Sequence, residues 1–336
     1  MEAQRVVDCH VHVFDPQRFP YRPDTFYAPA GQELGTPARL RTVLDAHGVE
    51  HALLVGPNSG YGEDNRCLLD TLAAAAGRYR GMAVVANSAT RAELAELRAA
   101  GVLGVTINAA LLGVGYYADA GGLLADLAAL DMIADVQVVD DQLVELAPLL
   151  ERSGVRVHVD HCGRPDPGAG LGAAGFRELL RWGASGRAVV KLSGCVKVSR
   201  EPYPHRDLLP HVRALVDAFG PDRCVWGSDW PFLRMPERVD YGPLLTLLAE
   251  QVPHADARPH PLGHPGARVR ARRRLSAGGG GSARARAGCG PRVSGRRSPA
   301  RPRPAPAGPR RSCGAGASRW RRGGSSRARR WRAAWR

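Results

Sequence analysis

His205-Arg206-Asp207-Leu208-Leu209-Pro210-His211-Val212-Arg213-Ala214-Leu215-Val216-Asp217-Ala218-Phe219 is followed shortly by Cys224-Val225-Trp226-Gly227-Ser228-Asp229-Trp230-Pro231. In the first run Leu208, Leu209, Val212, Leu215, Val216 and Phe219 recur at i, i+1, i+4, i+7, i+8 and i+11, the period of a helix with one buried face. The second is a short apolar run ending in Gly, Ser and Asp, the form of a buried strand entering a loop. The same alternation recurs toward Met1. Strand-like runs begin near Val6, Ala52, Gly81, Gly104, Ile133, Val155, Ala188 and Cys224. Helical stretches lie near 36–47, 63–77, 90–100, 119–131, 140–152, 173–184, 205–219 and 240–251, with Asp140-Asp141 as the expected N-cap of the fifth. Strict strand–helix alternation means a parallel sheet covered by helices. Eight units in about 250 residues favour a closed α/β barrel, the (β/α)8 or TIM barrel, over an open sheet.

Composition divides the chain in two. It has 336 residues and a formal charge of +15, which alone would suggest a nucleic-acid binder. The charge is concentrated, however. Residues 253–336 hold 23 arginines, no lysine and one acid, Asp256, so this segment carries +22 and residues 1–252 carry −7. The expected organisation is a barrel over 1–252 and a basic, low-complexity, disordered tail over 253–336. The hydrophobic fraction of 44% excludes a wholly disordered chain. The seven cysteines are odd in number and have no CxxC spacing, against a disulfide scaffold or structural zinc and in keeping with a reducing cytosol. No apolar run reaches the ~18 residues of a membrane span. Met1 leads almost directly into a strand-like run, so no signal peptide and a cytoplasmic location are expected.

The tail admits three readings. It is a basic arm for RNA or DNA, a linker, or a GC-rich gene read out of frame, the last of which the absence of lysine favours. One coding string for His260–Arg270, regrouped by one base, reads Ile-Leu-Trp-Asp-Thr-Pro-Ala-Arg-Val-Phe followed by a glycine codon. Codon degeneracy makes this a compatibility test and no more.

The chemistry-bearing residues fall at strand ends. In His10-Val11-His12 the two imidazoles share one face of the first strand and point into the barrel mouth. Neutral imidazoles suit a divalent metal such as zinc, although an isolated HxH is common by chance. Asp160-His161-Cys162-Gly163-Arg164-Pro165 ends the sixth strand, and Trp226-Gly227-Ser228-Asp229-Trp230-Pro231 ends the eighth. In a barrel all three sites share the C-terminal face, where barrel active sites lie. Alone, Asp229 reads equally as a helix cap and His161 as a turn histidine; together they read as a site.

These motifs, with Asp8-Cys9-His10-Val11-His12-Val13-Phe14-Asp15 and Phe19-Pro20-Tyr21, resemble the amidohydrolase superfamily in its branch of lactonases, over about residues 5–252. The resemblance implies that His10, His12, His161 and Asp229 are catalytic and are the ligands of any metal. Asp229 would be the general base that activates water, and His161 would polarise a carbonyl. Arg164 would grip a substrate carboxylate or sulfonate through a two-toothed fork. Tyr21, Asn108, Tyr117 and Lys191 are further candidate substrate-binding residues, from their places near strand ends or on loops; for Lys191 a snorkelling strand lysine is an equal reading. Members of the family commonly end in a helix, Asp-x-Pro-Ala-Arg and Phe-Gly, as the shifted frame does. The bridging residues of a two-metal site are missing from Gly104-Val105-Thr106-Ile107-Asn108, so the implied cofactor is one divalent metal, zinc first, or none.

The expected activity is hydrolysis of a small anionic lactone, a carboxylic ester hydrolase reaction in aromatic compound catabolism. The alternatives are a metal-dependent decarboxylase of an unsaturated or aromatic acid on the same fold, and nucleic-acid binding through the tail if it is genuine. The expected partner is a small anionic lactone and not a membrane. The reading also admits a homo-oligomer.

Overall fold

A computed structural model describes residues 6–251, 255–258 and 268–271, with side chains through 247. Eight strands run in parallel in sequence order: β1 (Val6–Val11), β2 (Val49–Val55), β3 (Tyr79–Ala83), β4 (Val102–Asn108), β5 (Ile133–Gln137), β6 (Arg156–Val159), β7 (Ala188–Leu192) and β8 (Cys224–Trp226). The ends meet through a parallel bridge between Val11 and Trp230, with His12 N donating to Trp230 O at 2.8 Å and Asp229 N to His10 O at 2.9 Å. This is a TIM barrel, as the sequence alternation implies.

The helices between the strands are α1 (Pro37–Ala46), α2 (Arg66–Ala74), α3 (Arg91–Ala99), α4 (Ala109–Leu112), α5 (Gly121–Ala129), α6 (Gln142–Ser153), α7 (Ala174–Ser185), α8 (Cys195–Val198), α9 (Leu209–Phe219) and α10 (Tyr241–Gln251). Helix starts follow local chemistry. Thr90 accepts from Glu93 N while Glu93 reaches back to Thr90 N, closing a capping box on α3. Asp141 does stand at the N-cap of α6 but makes no capping bond; its carboxylate instead accepts from Gly175 N at 2.9 Å, tying α6 to α7.

Alternation along the strands sorts the core into two layers. Ala52 and Leu54 of β2 belong to the large cluster shared with helix residues such as Leu40 and Leu44. Leu53 and Val55 join Met82 and Ile133 in a separate cluster on the sheet's other face, inside the barrel. Toward the C-terminal mouth the inward positions turn polar: Thr106, Asp135, Gln137, His158, Asp160 and Lys191 are all buried. A core that turns ionic at one end only is the layout of a barrel enzyme.

Two short strands, β9 (Ala255–Arg258) and β10 (Arg268–Ala271), pair antiparallel where the sequence suggests only irregular tail. Each has four residues alternating small or apolar with charged, too few to register as a period. The rest of the expected tail lies outside the described residues. Among those described, no helix is long and apolar enough to cross a membrane, and the five cysteines form no disulfide.

Candidate active site

A bulge in β1 builds one wall of the site. Asp8 pairs with Ala52 and Val11 with Leu54, so the β1 segment holds one residue more than its partner. After the bulge His10 and His12 both face inward, as their spacing implies. Gly227 of the loop after β8 lies directly against His10; a Cβ there would come within 2.7 Å of the His10 Cβ. Asp229 follows at φ 64°, a left-handed conformation that non-glycine residues rarely hold. The turn after β6 is bent the same way, with positive φ at His161, Cys162, Gly163 and Arg164. Strain of this kind costs about 1–3 kcal/mol per non-glycine residue and persists where packing over-determines the backbone, as at active sites.

Asp229, His10, His12 and His161 come together as expected. Asp229 Oδ1 is 3.4 Å from His12 Nε2 and 3.8 Å from His10 Nε2. His12 Nδ1 lies 2.8 Å from the Val55 carbonyl, which can only accept, so Nδ1 carries the proton and Nε2 presents a lone pair. His12 therefore faces Asp229 as one acceptor facing another, and His10 Nε2 has no hydrogen-bond partner. That set wants a proton donor or a cation between its members. The two nitrogens and a carboxylate oxygen lie within 4.8 Å of one another, and so do ligand atoms of His10, Asp160 and His161. The residues thus fit a divalent ion in either trio. They do not form a single four-ligand group, because His161 shares its trio with Asp160 instead of Asp229.

The charges around this cluster are buried and paired. Burial would lift the Asp229 carboxyl, but the Lys197 ammonium, at 2.5 Å from Oδ2, leads the groups that outweigh it and hold Asp229 well below the usual carboxylate range. Burial pushes His10 down to about 4 against the pull of Asp160. His161 is lowered well below the usual imidazole value, chiefly by burial. At neutral pH an ionised Asp229 thus shares the cluster with the uncharged rings of His10 and His161. His161 Nδ1 sits 2.9 Å from Ser193 Oγ. If the serine donates, His161 Nε2 carries the proton and can donate to an oxygen in the mouth.

The other expected residues are placed as follows. Arg164 is partly buried after β6, with Nη2 3.4 Å from Gln137 Oε1. Asn108 caps α4 by accepting from Leu111 N, and donates to Asn58 Oδ1 at 2.8 Å. The Tyr117 hydroxyl accepts from Asn108 N at 2.7 Å and lines a cleft at the mouth. Tyr21 packs among Phe14 and Tyr61 and donates to Pro29 O at 2.9 Å. Lys191 faces the barrel interior and is fully buried, 2.7 Å from both Asp135 and Asp160 and 3.4 Å from His10 Nδ1. Burial would lower its ammonium pKa, but the two carboxylates outweigh it and hold the group protonated. Asp135 is pushed up to about 7 by burial and by Asp160 beside it.

Asp135, Asp160, Ser193 and Lys197 were not singled out as site residues by sequence. Asp160 precedes His161 in the quoted motif, and the inward parity of β5 could have flagged Asp135. Lys197 sits on the four-residue α8, which leaves no periodic trace.

The amidohydrolase family profile matches residues 7–264. The chain belongs to the amidohydrolase family. A 2-pyrone-4,6-dicarboxylate hydrolase of Comamonas testosteroni is 31% identical to this amidohydrolase over 74% of the chain and 83% of the relative. A 4-sulfomuconolactone hydrolase of Hydrogenophaga intermedia is 27% identical over 75% and 84%. Among solved structures, a putative 2-pyrone-4,6-dicarboxylic acid hydrolase from Pseudomonas putida superposes with a TM-score of 0.64 at 30% identity, covering 74% of this chain and 91% of that one.

Proposed function

We propose that this amidohydrolase opens the ring of a small anionic lactone by attack of water on the ester carbonyl, with Asp229 as general base. The observation that carries the reading is a buried, ionised carboxylate, Asp229, beside His10 and His12 at the C-terminal mouth of the barrel, with His161 against His10. The names of the relatives, hydrolases of lactones bearing carboxylate or sulfonate groups, support it.

Water donates one proton to Asp229 while its oxygen bonds to the carbonyl carbon. The carbonyl oxygen becomes an oxyanion, and His161 Nε2–H donates to it. The ring C–O bond then breaks, and the leaving oxygen takes the proton back from Asp229. Water has been added across the ester and a hydroxy acid results. Asp229 starts in the correct charge state, and Lys197 must loosen its contact for the carboxylate to accept a proton. His12, with its lone pair toward Asp229, accepts from the same water and orients it. Arg164 holds the substrate's anionic group. A single divalent ion, zinc in our reading, would be held by His10, His12 and Asp229 and would supply Lewis acidity to the water and the carbonyl.

Asp229→Asn tests the assignment. The amide keeps the shape but cannot take a proton, so kcat should fall by about 10²–10⁴ in a protein that still folds cooperatively, with a lower Tm from the lost Lys197 pairing. A variant that keeps most of its activity would overturn the general-base role.

A further inference from the structure

The buried charges of the barrel mouth are gathered on one side. Arg164, Lys197 and Asp229 stand at the ends of β6, β7 and β8. Across the mouth, a cleft of about 210 Å³ opens beside β2 and β4. For scale, an apolar cavity of about 150 Å³ accepts benzene, so this one has room for a substituted six-membered ring.

The lining is unlike an anion site. Its only cation, among the described residues, is Arg22, bound through two hydrogen bonds to Asp24; Glu63 adds a second carboxylate. The remaining wall is largely apolar, and Phe26, Leu112 and Tyr116 are exposed in it. One buried polar atom has no partner: the Thr106 Oγ1. Thr106 faces inward, because its neighbours Val105 and Ile107 pack outward among the helices. It pairs in register with Asp135, and Asn108 pairs with Gln137, whose side chain meets Arg164. The cleft is thus one strand away from the anion-binding arginine, and it offers a substrate a hydroxyl and apolar contact.

We propose that this cleft receives the uncharged end of the substrate. The enzyme then takes lactones with one anionic group, held at Arg164, and rejects a second anion on the opposite side of the ring. The inference rests on the lactone-hydrolase reading and narrows it. A second carboxylate in the cleft would lose water and meet Asp24 and Glu63 without a cation of its own.

The test uses the wild-type protein with two inert rings of matched shape, 3-methylbenzoate and isophthalate, which differ by a methyl in place of a carboxylate. Dissociation constants come from ligand-observed NMR titration. We expect 3-methylbenzoate to bind at least about tenfold more tightly, a difference of about 1.4 kcal/mol. Leu112→Arg puts a cation on the exposed rim, where folding does not depend on the leucine, and should narrow or reverse the preference. Isophthalate binding as well as or better than 3-methylbenzoate, or no binding of either ring, would overturn the proposal. Turnover of a lactone panel is scored separately. No turnover with the binding order retained defeats the reaction and spares the cleft; turnover with the binding order reversed does the opposite.

Discussion

The two lysines of this chain sit in opposite surroundings. Lys191 is fully buried inside the barrel, clamped between Asp135 and Asp160 at 2.7 Å each. Lys197 lies at the mouth, partly open to solvent, against Asp229. Both are ammonium–carboxylate contacts, but burial gives them different work. The inner one cannot exchange its partners without leaving charges in a low-dielectric interior, so it fixes Asp160 and the Nδ1 side of His10. The outer one, nearer solvent, keeps Asp229 ionised, and in the proposed mechanism it gives way to substrate when the proton moves.

Removing each lysine should break different things. Lys191→Met leaves two facing carboxylates with no cation and should cost about 3–5 kcal/mol of stability, a fall in Tm on the order of 10 °C. Thermal unfolding reads this directly, and an unchanged Tm would mean that the inner clamp does not hold the barrel mouth together. Lys197→Met leaves the buried Asp229 without this cation, so Tm should fall too, though less than for Lys191→Met because Lys197 is partly open to solvent, and the main effect should be on the pH profile. Asp229 has a depressed carboxyl pKa in the native protein and stays ionised as pH falls through the usual carboxylate range. Without Lys197, burial is less opposed, the pKa rises, and the acid limb of kcat/KM moves up by about 1–3 pH units. In the wild type neither Asp229 nor His10 should contribute an acid limb between neutrality and about pH 5, since His10 titrates only near 4. The sign also sets the stability effect: a depressed carboxyl stabilises the fold above its unfolded pKa and loses that contribution as pH falls through the folded value.

Arg164→Met is a smaller effect on the same side of the mouth. Loss of a charge-assisted contact worth about 1.5–3 kcal/mol should raise KM by roughly ten- to a hundredfold for an anionic lactone. A neutral lactone of the same shape should be little affected. Equal losses for both would show that Arg164 shapes the turn instead of gripping the anion.

Much of the scaffold was legible because its elements are long enough to show a period. β1, β5, β7 and β8 begin at Val6, Ile133, Ala188 and Cys224, the positions read from sequence, and the other starts move by three residues or fewer. The four-residue helices Ala109–Leu112 and Cys195–Val198 were not legible, being about one turn each. The candidate cluster could be read because His10, His12, His161 and Asp229 all lie at strand ends, where topology alone brings them together. Side-chain direction was the harder part. Tyr21 lies in a loop near the mouth, yet its hydroxyl turns back to Pro29. Lys191 becomes part of an interior clamp only once the β5, β6 and β7 registers bring Asp135 and Asp160 to it. The proposal of a shifted frame near Pro253 stands apart from these contacts; sequencing codons 245–275 should reveal a missing or extra base, and an intact frame would make the basic tail a real product.

The central claim is that water adds across a lactone ester. The most direct measurement follows a carboxylated lactone in ¹⁸O-water, with acid release by pH-stat and the product by mass spectrometry. The account predicts one equivalent of acid per lactone consumed, one solvent oxygen in the new carboxylate, and no carbon dioxide. Carbon dioxide release, label on the hydroxyl, or no consumption of any lactone in the panel would contradict it.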